Sequence, residues 1–197
     1  SSLFLDPSLH VDAAPYYRNP RIHTLGDSAL HAAVARSATK IIDAVAYNGE
    51  DVRSSLLACI PKELSVLDMC CGSGTSTRVP GVGIDTSAHM IREARWRRGR
   101  HSQFHVANAE TFGAPDSFDV VTLCFCLHEM PRGARQRVLT NAHRVARKSV
   151  FILDISPSYT PSEFMLFSEP YLLEYQHHIM EDLSVHRPKV HTVIEGR

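Results

Sequence analysis

A chain of 197 residues, 44% hydrophobic and 21% charged, is long enough for one domain with a sizeable buried core. Its 21 basic and 21 acidic residues balance to a net charge of zero, so composition gives no support for a nucleic-acid partner. No apolar run approaches the roughly 20 residues of a membrane-spanning helix, and the opening SSLFLDPSLHVD is too interrupted to be a secretion signal. Five cysteines, an odd number clustered in mid-chain, do not form a disulfide scaffold. Reduced thiols are expected, in an intracellular and most simply cytoplasmic setting, or in an organelle if a leader has been removed.

The first two dozen residues, with APYYRNPRIH, read as an irregular arm. From Asp27, DSALHAAVARSATKIIDAVAY places Leu30, Val34, Ile41, Ile42 and Val45 at helical spacing, and Asn48-Gly49 stops the helix. A shorter helix is expected from Asp51 to Cys59. LSVLDMC then reads as a strand buried on both faces, closed by an acid and glycines. GVGID is a second strand, SAHMIREARWRR a helix capped by Thr86 or Ser87, QFHVAN a third strand and FDVVTLCFCLH a fourth. GARQRVLTNAHRVA is a helix with Val138, Leu139, Ala142 and Val145 on one side, and SVFILDIS a fifth strand. Pro170 should break the helical run SEFMLFSEPYLLEYQHHIMEDL near Glu169, and KVHTVIEG offers a sixth strand. The block 88–148 carries 11 Lys/Arg against 5 Asp/Glu, and 149–197 carries 3 against 7. The basic run IREARWRRGR reads as a solvated helix face.

Strands alternating with helices imply right-handed βαβ crossovers and a mostly parallel, doubly wound sheet with helices on both faces. Ligands of such sheets bind beyond the carboxyl ends of the strands, so strand-ending residues are the informative ones. The first strand ends Asp68-Met69-Cys70-Cys71-Gly72-Ser73-Gly74. Gly72 and Gly74 allow a tight turn and a close approach of backbone to ligand. The second strand ends in Asp85, and a carboxylate there can accept from both hydroxyls of a ribose.

In this order and spacing, VLDMCCGSGTSTR, VGIDTSAHMIREAR, FHVANAETF and FDVVTLCFCLHEMP resemble the four motifs of class I S-adenosylmethionine-dependent methyltransferases, over residues 63–156. Cysteine at position 70, where that family commonly has glycine, also appears in its ubiquinone/menaquinone methyltransferase-like branch of small-molecule enzymes. The resemblance implies a Rossmann-like fold, S-adenosyl-L-methionine as cofactor and S-adenosyl-L-homocysteine as product. It implies that Asp68 anchors the glycine loop and the cofactor's amino end, with Cys70, Gly72 and Gly74 beside the methionine part. Asp85 would hold the ribose, with Thr86 and Met90 near sugar and adenine, and Asn108 and Ala109 at the adenine edge. Cys124, Leu127 and His128 would lie by the sulfonium. The closing hairpin of that fold is expected to be incomplete, because the sequence offers one strand for it.

His128, followed by Glu129, is the candidate catalytic base, with an ordinary pKa near 6.5. The acceptor is expected to be a small molecule entering between Tyr16, Tyr17 and Arg18 of the arm, the end of the fourth strand, and Glu169, Tyr171 and Tyr175. Residues 1–60 would cover the acceptor site and 61–197 would form the cofactor-binding core. Tyr159, Phe164 and Phe167 either join Tyr171 and Tyr175 in an apolar lid or serve in packing. The cysteines read as small apolar filler; pairing of Cys70 or Cys71 with Cys124 or Cys126 is the minor alternative, and no metal site is expected. A nucleotide-dependent oxidoreductase fits less well, because Thr77 stands where its fingerprint has a third glycine. A cofactor-binding or regulatory protein without catalysis is the other alternative.

Overall fold

Residues 27–47 and 49–186 are described by the computed structural model. Two helices come first, α1 (Ala29–Ala46) and α2 (Val52–Ala58), the latter capped by the Asp51 side chain, which accepts from the Ser54 amide. The sheet strands are β1 (Val66–Met69), β2 (Val82–Asp85), β3 (Gln103–Val106), β4 (Phe118–Cys124) and β5 (Ala146–Leu153). Between them lie α3 (Ala88–Arg98) and α4 (Arg132–Val145), and after them α5 (Glu163–Ser168) and α6 (Leu172–Ser184). All pairings are parallel, in the order β3-β2-β1-β4-β5. β1, at the centre, is buried throughout, the Asp68 carboxylate included.

The main core joins β1, β2 and β4 to α4 and α6, with Val138, Leu139, Ala142 and Val145 almost wholly enclosed. A smaller cluster of Cys71, Ile91, Ala94 and Phe104 seats α3 on the β2–β3 side. Ser87, not Thr86, caps α3, its hydroxyl accepting from the Met90 amide. Pro170 separates α5 from α6 as expected.

Three sequence expectations change. Leu30, Val34 and Ile41 of α1 are exposed and Ala32 is buried, while the side chains of Ile42 and Val45 lie outside those described. The fourth strand stops at Cys124, because Phe125 takes φ +52 and turns the chain into a 3-10 turn at Leu127–Glu129. Cys126 is therefore not a strand partner of Cys124. Phe164 and Phe167 point to solvent while Tyr175 is core, so the aromatic residues form no common lid. The possible sixth strand lies outside the described residues.

The connection from β1 to β2 has no helix at all, only successive turns. At about a dozen residues it is near the minimum for a parallel crossover. Side chains hold it instead. Ser76 and Thr77 hydroxyls donate to Asp68 Oδ2 at 2.8 and 2.7 Å, and Arg98 reaches the Thr77 carbonyl.

Candidate cofactor and acceptor site

The carboxyl ends of β1, β2, β4 and β5 bring four acids and one histidine to one end of the sheet. Asp68 is 1% exposed and accepts three hydroxyl hydrogen bonds, from Ser76, Thr77 and, at 3.0 Å, Thr122 of the adjoining β4. Burial nonetheless pushes its carboxyl up to about 6, the hydroxyls and the Arg53 charge opposing. This carboxylate thus fastens the loop to the sheet and keeps at most one lone-pair direction for a ligand.

Gly72 and Gly74 both have positive φ, +52 and +78. Their surroundings differ. A Cβ on Gly74 would stand 3.0 Å from the Phe104 ring, whereas a Cβ on Gly72 would meet nothing within 4 Å. Gly74 is thus required by packing, and Gly72 is the glycine that faces open space where a ligand can approach. The Gly72 amide donates to Asp85 Oδ2 and the Ser87 amide to Asp85 Oδ1, both at 2.8 Å. Burial raises Asp85 to about 6, with Glu129 and Asp27 adding to the effect. Each Asp85 oxygen keeps a free lone pair, so the carboxylate can still accept from two ribose hydroxyls. These residues fit S-adenosylmethionine: an open cradle at Gly72, a ribose acceptor at Asp85 and acids for the cationic end.

Asp154, at the end of β5, was not foreseen. Its Oδ1 lies 2.5 Å from His128 Nδ1 and its Oδ2 accepts from the Leu127 amide at 2.8 Å. Burial would lower the His128 pKa, but the Asp154 charge and hydrogen bond, helped by Glu129 and Glu169, overcome it and raise His128 to about 9. At neutral pH the residue is therefore an imidazolium paired with Asp154, not the half-titrated base that an ordinary histidine would be. Asp154 had a readable signal: SVFILD is an apolar strand ending in an acid, as β1 and β2 are. Arg53 approaches Phe125 from α2. Its guanidinium lies 4.3 Å from the centre of the Phe125 ring, and nothing in DVRSS singles it out.

Among the other expected residues, Thr86 is partly exposed beside Asp85, and Met90 and Ala109 are buried. Asn108 Oδ1 accepts from the Glu110 amide at 2.8 Å, so the side chain closes a turn, with one lone pair left for an adenine amine. Leu127 is wholly enclosed in the core and offers no side-chain surface. Glu129, Glu169 and Tyr171 are partly exposed. Tyr175 is buried, its ring 6.1 Å from that of His128 and its hydroxyl donating to the Ile155 carbonyl. Tyr16, Tyr17 and Arg18 lie outside the described residues.

All five cysteines are free thiols. The Cys126 thiol donates to Cys70 sulfur, a bond that favours the Cys70 thiolate, but burial and the nearby carboxylates outweigh it and raise Cys70. Cys71 and Cys124 are raised by burial. Protonated, enclosed thiols are poor nucleophiles, which favours packing. Among the described residues no group of three or more His, Cys, Asp or Glu is placed to hold a metal ion. The same residues include no helix long and apolar enough to cross a membrane. A groove of about 650 Å³ between Trp96, Arg100, Gln103 and His105 lies at the β3 edge. None of the acids above lines it.

A parallel sheet of this order, with a glycine loop after its central strand and an acid closing the next, defines a Rossmann-like cofactor-binding fold. Residues 66–149 match the family described as "Methyltransferase domain". Over those residues the chain is similar to a methyltransferase domain. The fold is shared with the Bacillus halodurans C-125 protein BH2331, assigned as a methyltransferase, at 18% identity and TM-score 0.53, covering 69% of this chain and 68% of that one. The MccD protein is similar at 20% identity and TM-score 0.52, covering 70% and 72%. A protein studied for conversion of a disulfide bond into a thioacetal group during echinomycin biosynthesis is 27% identical, with TM-score 0.48, over 54% of this chain. The chain spans about half, 51%, of that protein's length. No curated protein matches the chain.

Proposed function

We propose that the chain is an S-adenosylmethionine-dependent methyltransferase acting on a small-molecule hydroxyl acceptor. The observation that carries this reading is the buried His128–Asp154 pair, standing at the same strand ends as Gly72 and Asp85. Gly72 and Asp85 would hold the methionine and ribose parts, and Asp68 the amino end. When bound, the cofactor supplies an electrophilic methyl group on a sulfonium. The chain supplies alignment and exclusion of water, and a place for the acceptor's proton. With its Nδ1–H on Asp154, neutral His128 takes that proton at Nε2. The acceptor would enter between residues 1–60, the end of β4 and the stretch Glu169 to Tyr175.

The test is release of S-adenosylhomocysteine from labelled cofactor across a panel of small phenols and hydroxylated acids. An active acceptor should show a rate that rises with pH through about 9, the His128 value, because the base must first lose its proton. His128→Gln should abolish that rise. Turnover with a pH profile unchanged by His128→Gln would remove His128 as the base. Cofactor binding with no turnover across the panel would favour the non-catalytic alternative.

A further inference from the structure

We infer that the groove at the β3 edge binds a single-stranded nucleic acid, with a base stacked on Trp96 and phosphates met by the arginines around it. This site stands apart from the cofactor reading above. The first observation is the tryptophan. Trp96 is 78% exposed, the most exposed of the large apolar side chains described. α3 packs through Met90, Ile91 and Ala94. At about 100° per residue, Trp96 falls on the opposite side of that helix. Packing therefore does not account for an indole there, and leaving so large an apolar surface in water is unfavourable. The Arg97 guanidinium already lies over the ring, 5.3 Å from its centre. A base stacking on the indole would join a cation–aromatic pair that is formed in advance.

The second observation is charge. From Ala88 to Val106 the chain carries Arg92, Arg95, Arg97, Arg98 and Arg100 against a single acid, Glu93, which pairs with Arg97. Arg92 stands four residues before Trp96, on the same side of α3. Arg100, Gln103 and His105 line the groove with the indole. The sequence alone reads this run as a solvated helix face; the fold gathers it around an exposed aromatic ring beside a groove. The third observation weighs against the competing occupant, an acidic peptide that adds a strand to the sheet. The Gln103 and Ala107 amides donate to the Gly81 and Asp85 carbonyls of the β2 side, so Phe104 turns its amide and carbonyl outward. Arg95 donates to that carbonyl from Nε at 2.9 Å and from Nη2 at 2.6 Å, so the acceptor a further strand would use is taken. A duplex keeps its base faces inside its own stack, whereas a single strand offers them to the indole.

Trp96 is the chain's one tryptophan, so its fluorescence reports on this site alone. Titration of the full chain with a short oligouridylate at low salt should quench it. The affinity should fall as salt rises with a log–log slope of at least about −1.4, two phosphates at about 0.7 each. Neither a duplex of the same length nor polyglutamate should quench it comparably. Trp96→Leu, followed by the anisotropy of a labelled strand, should bind at least about fivefold more weakly. Arg100→Gln should reduce the salt slope by about 0.7. Both substitutions are at exposed positions and should leave the urea unfolding curve unchanged. No quenching by oligouridylate, equal quenching by the duplex, or wild-type affinity in Trp96→Leu overturns the assignment. Equal quenching by polyglutamate overturns it in favour of an acidic peptide.

Discussion

Replacing Asp68 by Asn should stabilise this protein while weakening its site. The carboxyl moves from an ordinary 3.8 to about 6 in the folded chain, mainly through burial. An acid whose folded pKa is raised costs stability wherever it must ionise inside the fold: the cost is absent below 3.8 and complete above 6. Integrated over pH, it is about 1 kcal/mol at pH 4.5 and about 3 kcal/mol at pH 7.5. The geometry lets an amide avoid it. Thr122 can go on donating to the remaining oxygen, and the Ser76 and Thr77 hydroxyls can rotate to accept the two amide protons. Urea denaturation of the ligand-free proteins at the two pH values is the assay. The variant should exceed wild type by about 3 kcal/mol at pH 7.5, a Tm rise of roughly 6–12 °C, with the advantage shrinking towards pH 4.5. Its affinity for S-adenosylmethionine should fall, because the charge facing the cofactor's ammonium is gone. A variant no more stable than wild type at pH 7.5, or an advantage independent of pH, would refute the reasoning.

The two loop glycines should separate by assay. Gly74→Ala forces a Cβ against Phe104 at φ +78 and should cost about 2–4 kcal/mol in urea unfolding, with Gly72→Ala costing only about 1 kcal/mol. Gly72→Ala should nevertheless be the one that weakens cofactor binding at least about tenfold, since its methyl group enters open space; equal effects in both assays would contradict the distinction. His128 makes a prediction of opposite sign to Asp68. Its pKa is raised from 6.5 to about 9, so its pairing with Asp154 stabilises fully below 6.5 and is lost as pH rises through 9. Between pH 6 and pH 9.5 wild type should lose about 3 kcal/mol more than His128→Gln; parallel curves would show that the pair contributes nothing.

The sheet was readable because central parallel strands are mostly apolar, a pattern that VLDM and VVTLC keep with one polar residue each. Asp85 was readable for the same reason, as an acid closing such a run. Spacing marked both loop glycines but could not divide their roles, which depend on Phe104 arriving from β3 some thirty residues later. The crossover after Gly74 shows in the sequence only as the short stretch TSTRVP before the second strand. That Asp68, Ser76 and Thr77 replace the helix with hydrogen bonds depends on three side chains meeting in space. Phe125 shows a different limit. Strand propensity carries FDVVTLCFC forward, and the left-handed residue that ends it bears no glycine to announce the turn.

The central claim is that the ends of β1 and β2 bind S-adenosylmethionine, and isothermal titration of wild type and Asp85→Ala with S-adenosylhomocysteine tests it most directly. The account predicts one ligand per wild-type chain and an affinity lower by at least about 100-fold in the variant, for the loss of two hydrogen bonds to a charged acceptor. No binding by wild type, or equal binding by a folded Asp85→Ala, would contradict it.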